Sequence, residues 1–216
     1  ELLGKKNGSS KGKGGSMHIF RSEDNFYGGH GIVGAQVPLG TGIAFANKYL
    51  KNNAITFCFF GDGAVNQGQV YEAFNMAALW NLPIIYIIEN NQYGMGTSVE
   101  RASAMTELFR RGESFGIKGY EIDGMDPLAV NYHLKSIYNK VVKENLGPVL
   151  IEAKTYRYRG HSMSDPGKYR TRQEIQETRD NRDPIERVRS FLLKNEFMNE
   201  IEIKNLDKKI KDEVLV

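Results

Sequence analysis

The sequence predicts an α/β fold, a mostly parallel sheet flanked by helices. Three observations predict it. Residues 54–60 (AITFCFF) and 83–89 (PIIYIIE) are continuous apolar runs rich in β-branched and aromatic residues, the pattern of central strands covered on both faces. A helical pattern, QVYEAFNMAALW at 69–80, lies between them. A third run, PVLIEA at 148–153, opens directly after Gly147. Strands alternating with helices in this way form βαβ units and a parallel sheet.

The elements follow in order. Lys5, Lys6, Lys11 and Lys13 lie among Gly and Ser and read as a solvated loop. A helix is expected over 38–50, ahead of the first strand. The helix over 69–80 joins two neighbouring strands, for which a right-handed crossover is the rule. A short strand is expected over 119–122. Asp126-Pro127 places an N-cap Asp before Pro at the first helical position. That helix runs to about Glu144 and ends at Asn-Leu-Gly-Pro. Asp183-Pro184 opens another, with Ile185, Val188 and Leu192 on one face. The tail from about Asn199 reads as a charged helix. Residues 1–170 are thus expected to form the α/β domain, and 171–216 a helical segment packed on it or extending from it.

Composition narrows the function classes. The 216 residues suit one large domain, and 40% hydrophobic with 25% charged is ordinary for a globular protein. A formal charge of +3, with scattered basic residues, gives no nucleic-acid footprint. No run approaches the roughly 18 apolar residues of a membrane span. The single cysteine, Cys58, lies inside an apolar run. It excludes an internal disulfide framework and fits a reducing compartment. No signal or transit peptide is visible. The chain begins with Glu1 rather than Met, near a motif-rich region, and reads as a fragment or a trimmed product.

The chemistry concentrates where two strands end. In sheets of this kind ligands sit beyond the carboxyl ends of the strands. The first strand ends at Gly61-Asp62-Gly63, the second at Glu89-Asn90-Asn91-Gln92-Tyr93-Gly94. Asp62 offers a carboxylate and Asn91 a side-chain carbonyl, hard oxygen donors that suit Mg²⁺ or Ca²⁺ rather than zinc. Mg²⁺ is usually shared between one or two protein groups and phosphate oxygens. Gly61 and Gly63 allow close backbone approach, and the N–H groups of Gly63 and Ala64 can meet phosphate charge. Gly-Asp-Gly alone occurs in many turns. With 26 residues between Gly63 and Asn90, and a buried strand before each loop, the spacing is similar to the thiamine-diphosphate signature.

The resemblance extends well beyond that signature. GDGAVNQGQVYEAFNMAALWNLPIIYIIENNQYGMGTSVERA, KGKGGSMHIF, NFYGGHGIVGAQVPLGTGIA and TYRYRGHSMSDPGKYRTRQEI all resemble the α subunits of pyruvate dehydrogenase, within the thiamine-diphosphate-dependent 2-oxo acid dehydrogenases. α subunits for branched-chain 2-oxo acids or for acetoin resemble it less in ENNQYGMGTSVERA and YRYRGHSMSDPG, which favours pyruvate. A truncated, non-catalytic relative that keeps the fold is the rival reading. Intact Asp62, Asn91 and His161 speak against it.

The resemblance implies a set of roles. Asp62 and Asn91 would bind Mg²⁺ through side chains and Tyr93 through its backbone carbonyl. Gly63 and Ala64 would hold the diphosphate of thiamine diphosphate. Gly31 and Val33 match positions lining the cofactor's rings, and Met95 would support its bent conformation. His161, in a Gly/Ser-rich loop that can cover the cofactor, matches the family's active-site histidine. It would position the diphosphate end and assist acyl transfer.

The implied reaction is oxidative decarboxylation of pyruvate, with the acetyl group passed to lipoamide on the acetyltransferase core. The implied assembly is an α₂β₂ heterotetramer whose β subunit completes the site. Ser162 and Ser98 match positions phosphorylated in animal members. A third such serine is missing from DPGKYR, and regulation is not expected here. Family members also carry a further N-terminal stretch with a Tyr-Arg pair that touches the diphosphate, a stretch that would lie before Glu1. Bacterial cytoplasm is the expected setting, with the mitochondrial matrix as the alternative.

Overall fold

The two long apolar runs become neighbouring parallel strands. A computed structural model describes residues 1–215. In chain order the regular elements are α1 (Gln36–Tyr49), β1 (Thr56–Gly61), α2 (Gly68–Leu79), β2 (Ile84–Asn90), β3 (Tyr93–Gly94), β4 (Thr97–Ser98), α3 (Val99–Ala102), β5 (Lys118–Asp123), α4 (Pro127–Lys143), β6 (Val149–Lys154), α5 (Arg172–Arg182), α6 (Pro184–Lys194) and α7 (Glu200–Val214). Short 3-10 turns occupy Ser22–Asp24, Ala64–Asn66 and Leu108–Phe115. The main sheet has four strands in the order β1-β2-β6-β5, and every pairing is parallel. β3 and β4 form a separate two-residue antiparallel pair.

Helices cover both faces. On one side α1 and α2 bring Val37, Ala44, Val70, Phe74 and Ala77 against Phe60, Tyr86, Ile88 and Leu150 of the strands. On the other, Ile137 and Val141 of α4 pack on Ile85, Ile87, Ile122, Val149 and Ile151. Each Val, Leu, Ile or Phe among them, fully buried, contributes roughly 1.5–3 kcal/mol against exposure. The expected caps form: Asp126 accepts from the N–H groups of Leu128 and Ala129, and Asp183 from those of Ile185 and Glu186. Asn199 and Glu202 close a capping box at the start of α7.

One expectation is corrected. β1 is not buried on both faces. Its residues alternate, with Cys58 and Phe60 buried while Phe57 and Phe59 are 42% and 51% exposed. β1 is the edge of the sheet, and the helix on that face, α4, lies over β2, β6 and β5 instead. An apolar run therefore signals a strand here without signalling two covering layers. Cys58 is a buried free thiol, as expected. It donates to the Gln36 carbonyl at 3.3 Å, and burial pushes its pKa up to about 12, so it behaves as a small apolar side chain. The lysine-bearing segment at the start is a run of turns held by Glu1, whose carboxylate accepts from the N–H groups of Ser10, Gly12 and Gly14. Its four lysines are exposed. Among the described residues no helix is long and apolar enough to cross a membrane.

The candidate strand-end site

Parallel pairing brings the two loops side by side. Gly61 lies opposite Glu89 in the register of β1 and β2, so Asp62 and Asn90 leave their strands at the same level. Period-2 alternation puts both side chains on the α1–α2 side with Phe60 and Ile88. Asp62 is only 3% exposed. Burial raises its carboxyl above the ordinary aspartate range. The N–H groups of Asp62 itself and of Asn91, then Arg157 and Arg170, pull it back down. Among the described residues no cation pairs with it directly. A buried carboxylate held by backbone N–H groups and left without a counter-ion has the chemistry that a hard divalent cation would suit.

Beside it lies a cavity of about 220 Å³ lined by Asp62, Gly63, Asn66, Gly94, Thr97, Ser98 and neighbouring residues. The loops meet closely at two glycines. A Cβ on Gly63 would come 3.2 Å from the Gly94 Cα, and one on Gly94 equally close to Gly63. The Asn91 side-chain oxygen accepts from the Tyr93 N–H at 3.3 Å, forming a local turn. Among the described residues no cluster of three or more His, Cys, Asp or Glu could hold a metal. A site of one carboxylate, one amide oxygen and one backbone carbonyl needs no such cluster. The donor set, all oxygen with a single full charge, fits Mg²⁺ sharing its shell with phosphate.

A second layer was not anticipated from sequence. Arg157 donates from Nη1 to the Tyr93 carbonyl at 3.2 Å, and from Nη2 to the Met95 carbonyl at 2.8 Å and the Tyr169 hydroxyl at 2.6 Å. Arg170, with its side chain 4% exposed, donates to the carbonyls of Asn91 (2.5 Å) and Arg157 (2.7 Å). Its guanidinium lies 3.9 Å from the Tyr156 ring centroid and 5.0 Å from that of Tyr93. Two arginines thus grip the Asn91–Met95 turn from the segment that carries His161. In sequence they are ordinary basic residues of a polar stretch, and nothing in the pattern marks them as buried.

His161 sits in the turn 160–167. Its N–H donates to Asp165 Oδ2 at 2.7 Å, the Gly167 N–H to Oδ1 at 2.9 Å and the Tyr169 hydroxyl to Oδ2 at 2.7 Å. These bonds hold the Asp165 carboxyl down at about 2. The His161 Nδ1 lies 3.5 Å from Arg157 Nη1, at the limit of a hydrogen bond. Met163 is fully exposed and the Ser162 and Ser164 hydroxyls are 3.0 Å apart. Ser98 lines the cavity and caps α3, accepting from the Arg101 N–H at 3.3 Å.

Arg157 and Arg170 link Asn91, Tyr93, Met95 and His161, while Asp62 meets the same turn through the Asn91 N–H and Gly63 packs on Gly94. Ala64 opens the 3-10 turn directly after Gly63. Gly31 and Val33 stand apart, exposed and outside the cavity lining. The Val33 carbonyl accepts from Gln69 Nε2 at 2.9 Å, which ties their loop to the first turn of α2.

Fold and edge together define a parallel α/β protein with an oxygen-rich, glycine-cradled site at its strand ends, suited to a metal-bound phosphate compound. A family profile described as dehydrogenase E1 component matches residues 1–215, and the chain belongs to that thiamine-diphosphate-dependent family. The pyruvate dehydrogenase E1 component subunit alpha of Rhizobium meliloti is 58% identical over 98% of this chain and 61% of its own length. The protein of the same name from Rickettsia prowazekii is 56% identical over 100% and 66%. The mitochondrial one from Pisum sativum is 53% identical over 99% and 53%. The chain spans about three-fifths of the length of the bacterial relatives.

Proposed function

We propose that this chain forms the diphosphate- and metal-binding half of a pyruvate dehydrogenase and works with a β subunit in an α₂β₂ assembly. The observation that carries the proposal is Asp62, a buried carboxylate with no ion-pair partner among the described residues, facing a glycine-walled cavity. The names of the relatives support the substrate, and the family supports the cofactor.

When bound, thiamine diphosphate supplies the carbanion chemistry that decarboxylates a 2-oxo acid. The chain's own residues do the rest. Asp62 and the Asn91 side-chain oxygen would hold Mg²⁺, with the Tyr93 carbonyl offering the lone pair that Arg157 leaves free. The N–H groups of Gly63 and Ala64 would meet the diphosphate. Gly31 and Val33 would line the rings, and Met95 would support the cofactor's conformation. His161, held by Asp165 and Arg157, would position the diphosphate end and assist transfer of the acetyl group to the lipoyl domain of the acetyltransferase core. Residues 171–215 serve as a helical segment docked on the α/β domain, tied by Arg182 and Arg187 to Asp123 and Asp126; position 216, the end of the expected segment, lies outside the described residues.

The test is calorimetric titration of thiamine diphosphate with Mg²⁺ into the chain assembled with a β subunit. Saturable heat that disappears in Asp62→Asn is the expected result. No heat in the unaltered assembly overturns the reading. Turnover then decides the substrate: faster dye reduction with a branched 2-oxo acid than with pyruvate would sink the choice of pyruvate.

A further inference from the structure

Glu152 is a carboxylate in the middle of β6 with no exposed surface. Both of its oxygens are engaged. Oε1 accepts from Asn90 Nδ2 at 2.6 Å and from Lys154 Nζ at 2.5 Å, and Oε2 accepts from the Phe109 N–H at 2.9 Å. Asn90 is itself fully buried, and its side-chain oxygen accepts from the Gln92 N–H at 2.9 Å. An unbroken path of hydrogen bonds therefore runs from the centre of the sheet, through the Asn90 amide, into the turn that presents Asn91 and Tyr93.

The placement is specific. Asn90 lies opposite Lys154 in the parallel register of β2 and β6, and Glu152 lies opposite Ile88. Glu152, Lys154 and Asn90 share the α1–α2 side with Asp62, which stands level with Asn90 at the end of β1. Most neighbours on this side are apolar. A leucine would fill the volume of Glu152 without the expense of burying a charge. A fully satisfied buried polar network is rigid and fixes one geometry, and this one fixes the geometry of a strand end.

We propose that Glu152 is a positioning residue for the strand-end site. Through Asn90 it sets the shape of the turn 90–93, and so the distance and orientation at which Asn91 and Tyr93 meet the metal. The inference rests on the metal reading above for its purpose, and on the hydrogen bonds alone for its geometry. The bond to Phe109 gives Glu152 a second task, fastening the 3-10 turn Leu108–Phe115 over the same strands. If fastening were its only task, its loss would lower stability and leave the turn at 90–93 unchanged.

Two readouts on the assembled protein separate these possibilities. The first is amide hydrogen exchange at Gln92 and Tyr93 without metal. The second is Mn²⁺ affinity in the presence of thiamine diphosphate, followed by electron paramagnetic resonance well below the unfolding temperature. In Glu152→Leu, exchange at both amides is expected to quicken and the Mn²⁺ dissociation constant to rise about tenfold, the usual size of an outer-shell effect on a metal.

Tyr86→Phe is the control. It removes the 2.6 Å bond between the Tyr86 and Thr41 hydroxyls on the same face of β2, and is expected to lower stability while leaving both readouts alone. If Glu152→Leu fails to fold, Asn90→Ala cuts the same path one bond later and is expected to show the same weakened Mn²⁺ binding. Wild-type exchange at Gln92 and Tyr93 in Glu152→Leu overturns the proposal, as does wild-type Mn²⁺ affinity in a folded Asn90→Ala. An unaltered assembly that binds no Mn²⁺ overturns the metal reading instead, and the exchange comparison still decides whether Glu152 shapes the turn.

Discussion

The two halves of the proposed site are built in opposite ways. At the strand ends, Asp62 is buried, held by backbone N–H groups and pushed toward its neutral form by desolvation. In the turn 160–167, Asp165 is half-buried and held firmly in its charged form by three donors. Strand ends in a parallel sheet cannot move without breaking the sheet. An exposed turn anchored by one carboxylate can open and close by exchanging a few hydrogen bonds for water. On the proposed function, the contrast would give rigid recognition of metal and diphosphate to the sheet, and adjustable access to the His161 turn. Arg157 and Arg170 join the two.

The sharpest break in that comparison is Asp62→Asn. It should lower Mg²⁺-dependent affinity for thiamine diphosphate by about a hundredfold or more, since Asp62 is the one carboxylate among the described residues that line the cavity. The same change should stabilise the metal-free chain at neutral pH. Asp62 has a raised folded-state pKa, so its contribution to stability is complete below the ordinary aspartate value of 3.8. It is lost as pH rises through the raised value. Asparagine removes that loss. The melting midpoint should rise, by about 2–4 °C for each kcal/mol recovered in a chain of this length. Thermal denaturation at neutral pH, with and without Mg²⁺, checks both halves. A variant that loses affinity and stability together would make Asp62 a structural residue.

Arg170→Ala comes next. It leaves the Asn91 and Arg157 carbonyls without their donor and empties the space between the Tyr156 and Tyr93 rings. Removing a buried, multiply bonded arginine costs about 3 kcal/mol, readable by urea denaturation. Lysine should recover little of it, because one ammonium cannot reproduce the planar fork that spans two carbonyls. Ser98→Glu should act more weakly and on one half only. Ser98 lines the cavity, and a negative charge there opposes the diphosphate, weakening its binding by about tenfold. Ser162→Glu, in the exposed turn, should leave that affinity nearer wild type when both are titrated by calorimetry.

These residues differ in how far the sequence reveals them. The strands are legible because continuous apolar runs have few other uses, and the observed bounds lie within two residues of the expected ones at each end. The caps at Asp126 and Asp183 are legible because Asp-Pro has a local mechanism. Asp62 and Asn91 show in sequence because glycines and carboxyl-type residues interrupt apolar runs at matched places. The open face of β1 does not show, because covering is decided by helices distant in sequence. Glu152 does not show for the opposite reason: one carboxylate in PVLIEA reads as the outer edge of a strand, and only the pairing of β6 between β2 and β5 places it in the interior. Arg157 and Arg170 are equally silent, since an arginine has the same letter whether it faces water or grips carbonyls.

The smallest expected effect lies in the His161 turn and is local. Asp165 has a folded-state pKa of about 2, against an ordinary value of 3.8. Its contribution to holding the turn is complete above the ordinary value and lost as pH falls through about 2. The His161 and Gly167 N–H groups should therefore keep their exchange protection, corrected for intrinsic rate, down to about pH 3.8. They should lose it progressively below that. Asp165→Asn, which keeps the shape and halves the acceptor capacity, should lose that protection at neutral pH while the melting midpoint stays near wild type, because no donor it releases is fully buried and each can turn to water. The exchange of Gln92 and Tyr93 should not follow, since their turn is fixed from the sheet through Asn90 and Glu152. If the two turns lose protection together in Asp165→Asn, the arginines couple them too tightly for one to move alone, and access to the site must instead require the strand ends to shift.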